Sequence, residues 1–250
     1  MFTKVKTDPE IAAMRESGRI LATILTEIHN FSEAGCTGRE VSQLARRELK
    51  ALGAKAPILG YQGFPDLICI SLNDEVVHGI PHDKEFVNGD IVSFDFCAEY
   101  KGMITDAAFT MIIGGKAPNE VEKLLADTKK SLEAGVKVVK DGVRVGDISA
   151  AVQKVLDKGS YGIVRDLVGH GVGHYMHEDP NIANYGKAST GPTLQAGMTI
   201  AIEPMATLGG YQVTVDPDGW TIRTEDGSLS AHFEHTVLIT ETGAEILTQL

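Results

Sequence analysis

Ile91-Val92-Ser93-Phe94-Asp95-Phe96 is a run of β-formers interrupted by one carboxylate. A second run, Thr105 to Ile113, follows after Glu99-Tyr100-Lys101-Gly102, a segment suited to turning the chain. Branched and aromatic side chains fit a pleated, half-buried surface, so the two runs predict a hairpin. Asp106 heads the second run, so each strand carries an acid into apolar surroundings. The same juxtaposition recurs near the end of the chain. Glu203 closes Met198-Thr199-Ile200-Ala201-Ile202-Glu203-Pro204, and Glu234 precedes His235-Thr236-Val237-Leu238-Ile239.

Helical signals lie on the N-terminal side of the hairpin. Thr7-Asp8-Pro9-Glu10 is a helix start with an early proline, and Ile11, Met14, Leu21, Leu25 and Ile28 follow at roughly helical spacing. Thr37-Gly38-Arg39-Glu40 reads as a capping box opening a second helix through about Leu52. Strands and loops fill Pro57 to Gly115. Helical pattern returns over Asn119–Lys140 and Gly146–Lys158, and Gly-rich, β-rich sequence runs to the end. The order is helix, helix, strands, repeated once. Gly35, Val41-Ser42 and Leu49 are echoed 107 residues later by Gly142, Ile148-Ser149 and Leu156, and Gly89 and Asp95 are echoed 108 residues later by Gly197 and Glu203. These echoes predict an α+β chain of one domain, residues 1–250, with similar halves over about 1–118 and 119–250. No Pro/Ser-rich linker separates the halves. A pseudo-two-fold between them would bring Asp95 and Glu203 face to face.

The chain has 250 residues, 43% of them hydrophobic, enough for a substantial core. A formal net charge of −11 without a long basic run argues against direct binding to nucleic acid or to anionic lipid. Cys36, Cys69 and Cys97 are odd in number and lack C-x-x-C spacing, which argues against a disulfide framework or structural zinc. No secretory signal or membrane-length apolar run is present. The expectation is a cytoplasmic protein, monomeric by default.

An unpaired buried carboxylate is costly or neutralises itself. A strand edge facing water explains one such residue as well as anything else does. Four need more positive charge than nearby Lys or Arg supplies, and a pair of divalent cations meets that need. Gly169-His170-Gly171-Val172-Gly173-His174-Tyr175-Met176-His177-Glu178-Asp179-Pro180 holds three of the eight histidines, and its glycines oppose a regular zinc helix. His174, His29, His82 and His235 read as loop residues bonded to backbone. His78 sits on a second tight turn and suits proton transfer near neutral pH. One His with four carboxylates is a hard donor set for Mn, Fe, Co or a catalytic Zn pair. Two such ions about 3.5–4 Å apart can activate one water and polarise a carbonyl.

The joint order of these motifs resembles the type I methionine aminopeptidases, with the pita-bread fold they share with creatinase and prolidase relatives. The resemblance runs over nearly the whole chain. It rests on Gly60-Tyr61-Gln62-Gly63-Phe64-Pro65, Asn73 to Pro81, the Asp95…Asp106 hairpin and Gly169 to Pro180. Gly197 to Pro204 and Asp218-Gly219-Trp220 through Glu234-His235-Thr236 complete it. It implies an antiparallel sheet enclosing a dinuclear metal site and removal of the initiator methionine before a small second residue. Asp95, Asp106, His170, Glu203 and Glu234 match the metal ligands, with Asp106 and Glu234 bridging. Asp95 completes one site and His170 with Glu203 the other. Glu203 also matches the proton acceptor, His177 the group at the scissile carbonyl, and His78 the group near the substrate amine and amide nitrogen. Tyr61, Phe64, Cys69, Met176 and Trp220 would line the methionine pocket, where aromatic faces and sulfur suit a thioether. The implied partners are N-terminal methionyl peptides and nascent chains, met transiently near ribosomes.

Gln62, Cys97 and Met103 depart from the pattern, where His, Gly and an aromatic are usual; none removes a ligand. A buried, inert thiol is the expectation for Cys97. Prolidase and aminopeptidase P relatives usually carry a large extra N-terminal domain, whereas this sequence opens on the catalytic-domain helices. Only 33 residues separate His170 from Glu203, which favours type I over type II. A non-catalytic binding homologue would be expected to lose ligands, and all five are present. A mononuclear hydrolase on the same fold would differ in metal stoichiometry.

Overall fold

The computed structural model describes residues 1–249. Four helices, α1 (Asp8–Phe31), α2 (Gly38–Ala51), α3 (Asn119–Lys137) and α4 (Val145–Leu156), precede or divide the strands in pairs. The first half supplies β1 (Cys69–Leu72), β2 (Glu75–Val77), β3 (Ile91–Tyr100) and β4 (Met103–Ile112). The second supplies β5 (Gly162–Ile163), β6 (Gly169–Gly171), β7 (Glu178–Ile182), β8 (Thr199–Ile202) and β9 (Met205–Thr207). It continues with β10 (Val213–Val215), β11 (Ile222–Thr224), β12 (Ser230–His232), β13 (Glu234–Ile239) and β14 (Ala244–Ile246).

Local chemistry sets the helix starts. Thr37 accepts the Glu40 amide, and Glu40 returns to the Thr37 amide, closing the expected box. Ahead of α1 the Thr7 amide and hydroxyl both donate to Glu10 Oε2, at 2.7 and 2.8 Å, with Pro9 in the first turn. The hairpin forms as predicted, but β3 runs four residues past Phe96 and β4 starts two before Thr105. Lys101 and Gly102 both take positive φ, 50° and 80°, which suits the twist of a two-residue hairpin.

Eight strands form the main sheet, in the order β1-β3-β4-β13-β8-β6-β7, with β14 added on β13. Every pairing in it is antiparallel. The two halves meet where β4 pairs with β13, Glu234 opposite Ala108. β3 and β8 stand at equivalent places on either side of that junction, which is why Asp95 and Glu203 share one face. Each half has its own core. Ile20, Ile24, Val41 and Phe94 pack together in the first, and Leu124, Ile148, Val152 and Ile200 in the second. Burial at this density resists relaxation, so the junction between the cores is a stiff platform for side chains.

Candidate metal centre

Register builds the centre from the sheet outward. Side chains alternate along a strand, so Asp95 and Cys97 of β3 share one face. Asp95 pairs with Ala108 and Cys97 with Asp106, which sets the two aspartates diagonally across the hairpin. Ala108 pairs in turn with Glu234. Glu203 follows β8 immediately, one residue beyond Ile202, which pairs with His235. Thr236 fixes Asp106 from the neighbouring strand, accepting its amide at 2.8 Å and donating to its carbonyl at 2.8 Å.

The histidines arrive on glycine-shaped backbone. His78 has φ 61°, and a Cβ on the next residue, Gly79, would collide with the Ile70 carbonyl. That turn admits only glycine after His78. His170 lies in β6, where a side chain at Gly171 would run into the Asp179 carbonyl and Thr3. Nδ1–H of His170 donates to the Gly171 carbonyl at 2.9 Å. A carbonyl can only accept, so the lone pair is on Nε2, which lies 3.3 Å from Glu203 Oε1.

The electrostatics are those of a cation site. Asp106 and Glu234 are 5% and 2% exposed, and Asp106 Oδ1 and Glu234 Oε1 lack hydrogen-bond partners among the described residues. Donor atoms of Asp106, His170 and Glu234 converge within 4.8 Å, as do those of Asp95, Cys97 and Asp106. Burial, then Asp106, pushes the Asp95 carboxyl well above its ordinary range. Burial followed by the neighbouring acids does the same to Glu203 and Glu234, and burial raises Asp106. His170 is held down to about 3 by burial and His177, so it is a neutral donor. Oxygen-rich donors, orphaned acceptors and crowded carboxylates fit divalent cations.

A pH dependence follows. Carboxyls raised by burial and mutual repulsion hold protons that a cation must displace, so binding should tighten as pH rises from about 6 to about 8. Calorimetry of Mn²⁺ binding in buffers of different ionisation heat reads that proton release; an affinity independent of pH would contradict it.

Two cavities meet at the carboxylates. One, of about 110 Å³, is bounded by His78, Asp95, Asp106, His170, Glu203 and Glu234. The other, of about 170 Å³, shares His78, Asp95, Asp106 and His177 with the first and is walled by Tyr61, Phe64, Met176 and Trp220. Phe64 and Trp220 meet edge to face at 5.2 Å. Tyr61 closes the mouth, its hydroxyl 3.4 Å from Nδ1 of His177, and His177 stands edge-on to His170 at 4.5 Å. A larger groove of about 490 Å³ lies between α1 and the sheet, but of the acid cluster it touches only Glu234.

The structure thus gathers all but one of the residues singled out from the sequence. Cys69 is the exception. It is fully buried, sits opposite Asp95 in β1 and does not line the pocket. Ile58, Gln62 and Cys97 line it instead. Cys97 is buried as expected, but among the metal-facing acids, and burial with Asp106 and Asp95 raises its thiol well above the ordinary value. The sequence reading also missed His232, whose Nε2 is 3.9 Å from both Glu203 and Glu234. The signal was there: His232 is two residues before Glu234, the spacing that returns to the same face of an extended chain.

Comparison with known proteins identifies the family and the fold. The model of metallopeptidase family M24 matches residues 12–241. The chain is 43% identical to methionine aminopeptidase 1 of Bacillus subtilis over 245 residues, covering 98% of each. It superposes on the crystal structure of the methionine aminopeptidase of Thermotoga maritima with TM-score 0.97 and 44% identity, over the full length of both. The prolidase of Pyrococcus furiosus shares the fold, with TM-score 0.79 at 24% identity, the match covering 65% of that chain.

Proposed function

The chain belongs to metallopeptidase family M24, and from that premise we infer that it is a metal-dependent aminopeptidase releasing N-terminal methionine ahead of a small second residue. The observation that carries this reading is the junction of four buried acids and a neutral His170 with a pocket walled by Tyr61, Phe64, Met176 and Trp220. Residues 1–250 act as one catalytic domain, whose halves, about 1–118 and 119–250, each contribute acids to the site.

Asp95, Asp106, His170, Glu203 and Glu234 would hold two divalent ions of the Mn, Fe, Co or Zn type, with Asp106 and Glu234 shared between them. When bound, such ions activate water and polarise the scissile carbonyl. The protein's own groups do the rest. Glu203, raised by burial, is suited to accept the proton of the attacking water near neutral pH. His177, at the boundary of both cavities, steadies the carbonyl oxygen as charge develops on it. His78, lowered to about 4 by burial and then by His177, is neutral and faces the substrate amine and the scissile nitrogen. Phe64, Trp220 and Met176 enclose the thioether, and Cys97 and Gln62 adjoin it. The substrates are methionyl peptides and nascent chains, met transiently near ribosomes in the cytoplasm by a monomer. Among the described residues no helix is long and apolar enough to cross a membrane.

The test uses chelator-stripped protein with Met-Gly-, Met-Phe- and Ala-Gly-initiated peptides, adding Mn, Co, Fe or Zn in turn. Methionine released from the Met-Gly peptide alone, only with metal, is the expected result. Folded, metal-bound protein that releases nothing, or that releases alanine equally well, would overturn the reading. A metal titration ending at one ion per chain would remove the dinuclear part of it.

A further inference from the structure

His232 is 1% exposed, and neither of its ring nitrogens has a hydrogen-bond partner among the described residues. Its backbone, by contrast, is fully engaged. The His232 amide donates to Thr110 Oγ1 at 2.8 Å, and the Thr110 hydroxyl donates to the His232 carbonyl at 2.7 Å. Ser93 holds Thr110 in turn at 2.8 Å. The main chain is therefore pinned while the imidazole is left facing acids. Buried polar groups are rarely orphaned without a reason connected to chemistry.

The acids it faces are Glu203 and Glu234, whose Oε2 atoms each lie 3.9 Å from Nε2. The oxygens of Glu203 are already divided: Oε1 turns to His170 at 3.3 Å, and Oε2 turns to His232. Glu234, read as bridging, would use both of its oxygens for metal. A shift of roughly 1 Å, within reach of one carboxylate rotation, brings Nε2–H and Glu203 Oε2 to a charge-assisted bond of about 2.8 Å.

We propose that His232 is a positioning residue of the metal centre: its Nε2–H holds the outer oxygen of Glu203 and so aims the carboxylate that accepts the proton of the attacking water. The proposal rests on the reading of Glu203 given above. It acts through another residue, as outer partners of metal ligands do, and their loss typically costs about 10–100-fold in affinity or activity.

Three variants of the full chain separate this from packing. His232→Leu keeps bulk and removes the donor. His232→Gln carries an amide nitrogen near the position of Nε2, and His232→Asn carries one too short to reach. Mn²⁺ affinity is measured by calorimetry on stripped protein, and kcat and KM for a Met-Gly peptide with saturating metal. His232→Leu and His232→Asn should weaken Mn²⁺ binding by about 10–100-fold and lower kcat comparably, with KM within about 3-fold. His232→Gln should restore most of both. Should His232→Leu fail to fold, the contrast between Asn and Gln still decides. Unchanged Mn²⁺ affinity in the Asn variant, or equal impairment of Asn and Gln, would overturn the proposal. So would X-ray absorption of the Co²⁺-loaded protein showing an imidazole ligand that the Gln variant loses, since His232 would then bind metal directly. Wild-type protein that binds no Mn²⁺ and releases no methionine would instead sink the reading of the site itself.

Discussion

Glu234→Ala is expected to lower methionine release from a Met-Gly peptide by more than about 100-fold, beyond the loss typical of an outer partner of a metal ligand. Glu234 is 2% exposed, one of its oxygens is orphaned, and it faces the same small chamber as Asp106, His170 and Glu203. The same substitution should have the opposite effect on the metal-free fold. Four buried acids repel one another, so removing one relieves repulsion and spares the cost of burying it. The chelated variant should melt no lower than chelated wild type. Adding Mn²⁺ should raise the wild-type midpoint and leave the variant nearly unmoved, because a ligand stabilises only the state that binds it. Melting curves with and without Mn²⁺, beside the peptide assay, read all three effects. A variant that turns over at the wild-type rate would remove Glu234 from the centre.

What the sequence reveals here is mostly local. Thr37 and Glu40 announce α2 because a capping box is written within four residues. The hairpin is legible because its turn and both strands are contiguous. The acids stand out because each interrupts an apolar run. Periodicity overshoots at helix ends: the pattern continues to Lys140 because Val139 is still buried, although α3 stops at Lys137. Long-range register is a different matter. The sequence reading puts Cys69 in the pocket and takes Cys97 for a buried, inert thiol. Both lie on the acids' face of the sheet, Cys69 opposite Asp95 and Cys97 opposite Asp106, and only the packing above that face leaves Cys97 in the cavity wall and Cys69 fully covered. His232 is legible only in part, because its two-residue spacing from Glu234 is written in the chain and its approach to Glu203 is not. Its meaning depends on Glu203, which reaches it through the β8–β13 pairing. The first six residues carry no motif, yet Thr3 and Lys6 bond to Asp179, Gly197 and Glu178 across the fold.

Lys6→Met should cost about 3 kcal/mol of stability, the lower end for breaking a buried ion pair by removing one partner. The Lys6 side chain is 0% exposed and that of Glu178 4%, with Nζ 3.4 Å from Glu178 Oε2 and 2.7 Å from Thr3 Oγ1. The lower end applies because Glu178 Oε1 keeps the His174 and Tyr175 amides, at 2.8 and 3.0 Å. Burial pushes the Glu178 carboxyl up, and its bonds from Thr3, Tyr175 and Lys6 more than offset that, so it stays below its ordinary value. The exposed Arg19–Glu16 pair is the control, since surface pairs of that kind contribute about 0–1 kcal/mol. In a chain of this size the Lys6 loss corresponds to a midpoint lower by roughly 6–12 °C. Lys6→Met with Glu178→Gln should recover much of it, because no charge is then left buried without its partner. The effect should reach catalysis through geometry. The Thr3 amide donates to the Asp179 carbonyl and the Lys6 amide to that of Gly197, so the N-terminal arm braces the loop that presents His177. A displacement of about 1 Å at a reacting centre can cost as much as about 100-fold in rate. Chemical denaturation and peptide turnover of the single and double variants test both parts. A single variant as stable and active as wild type would show that the arm merely lies against the loop.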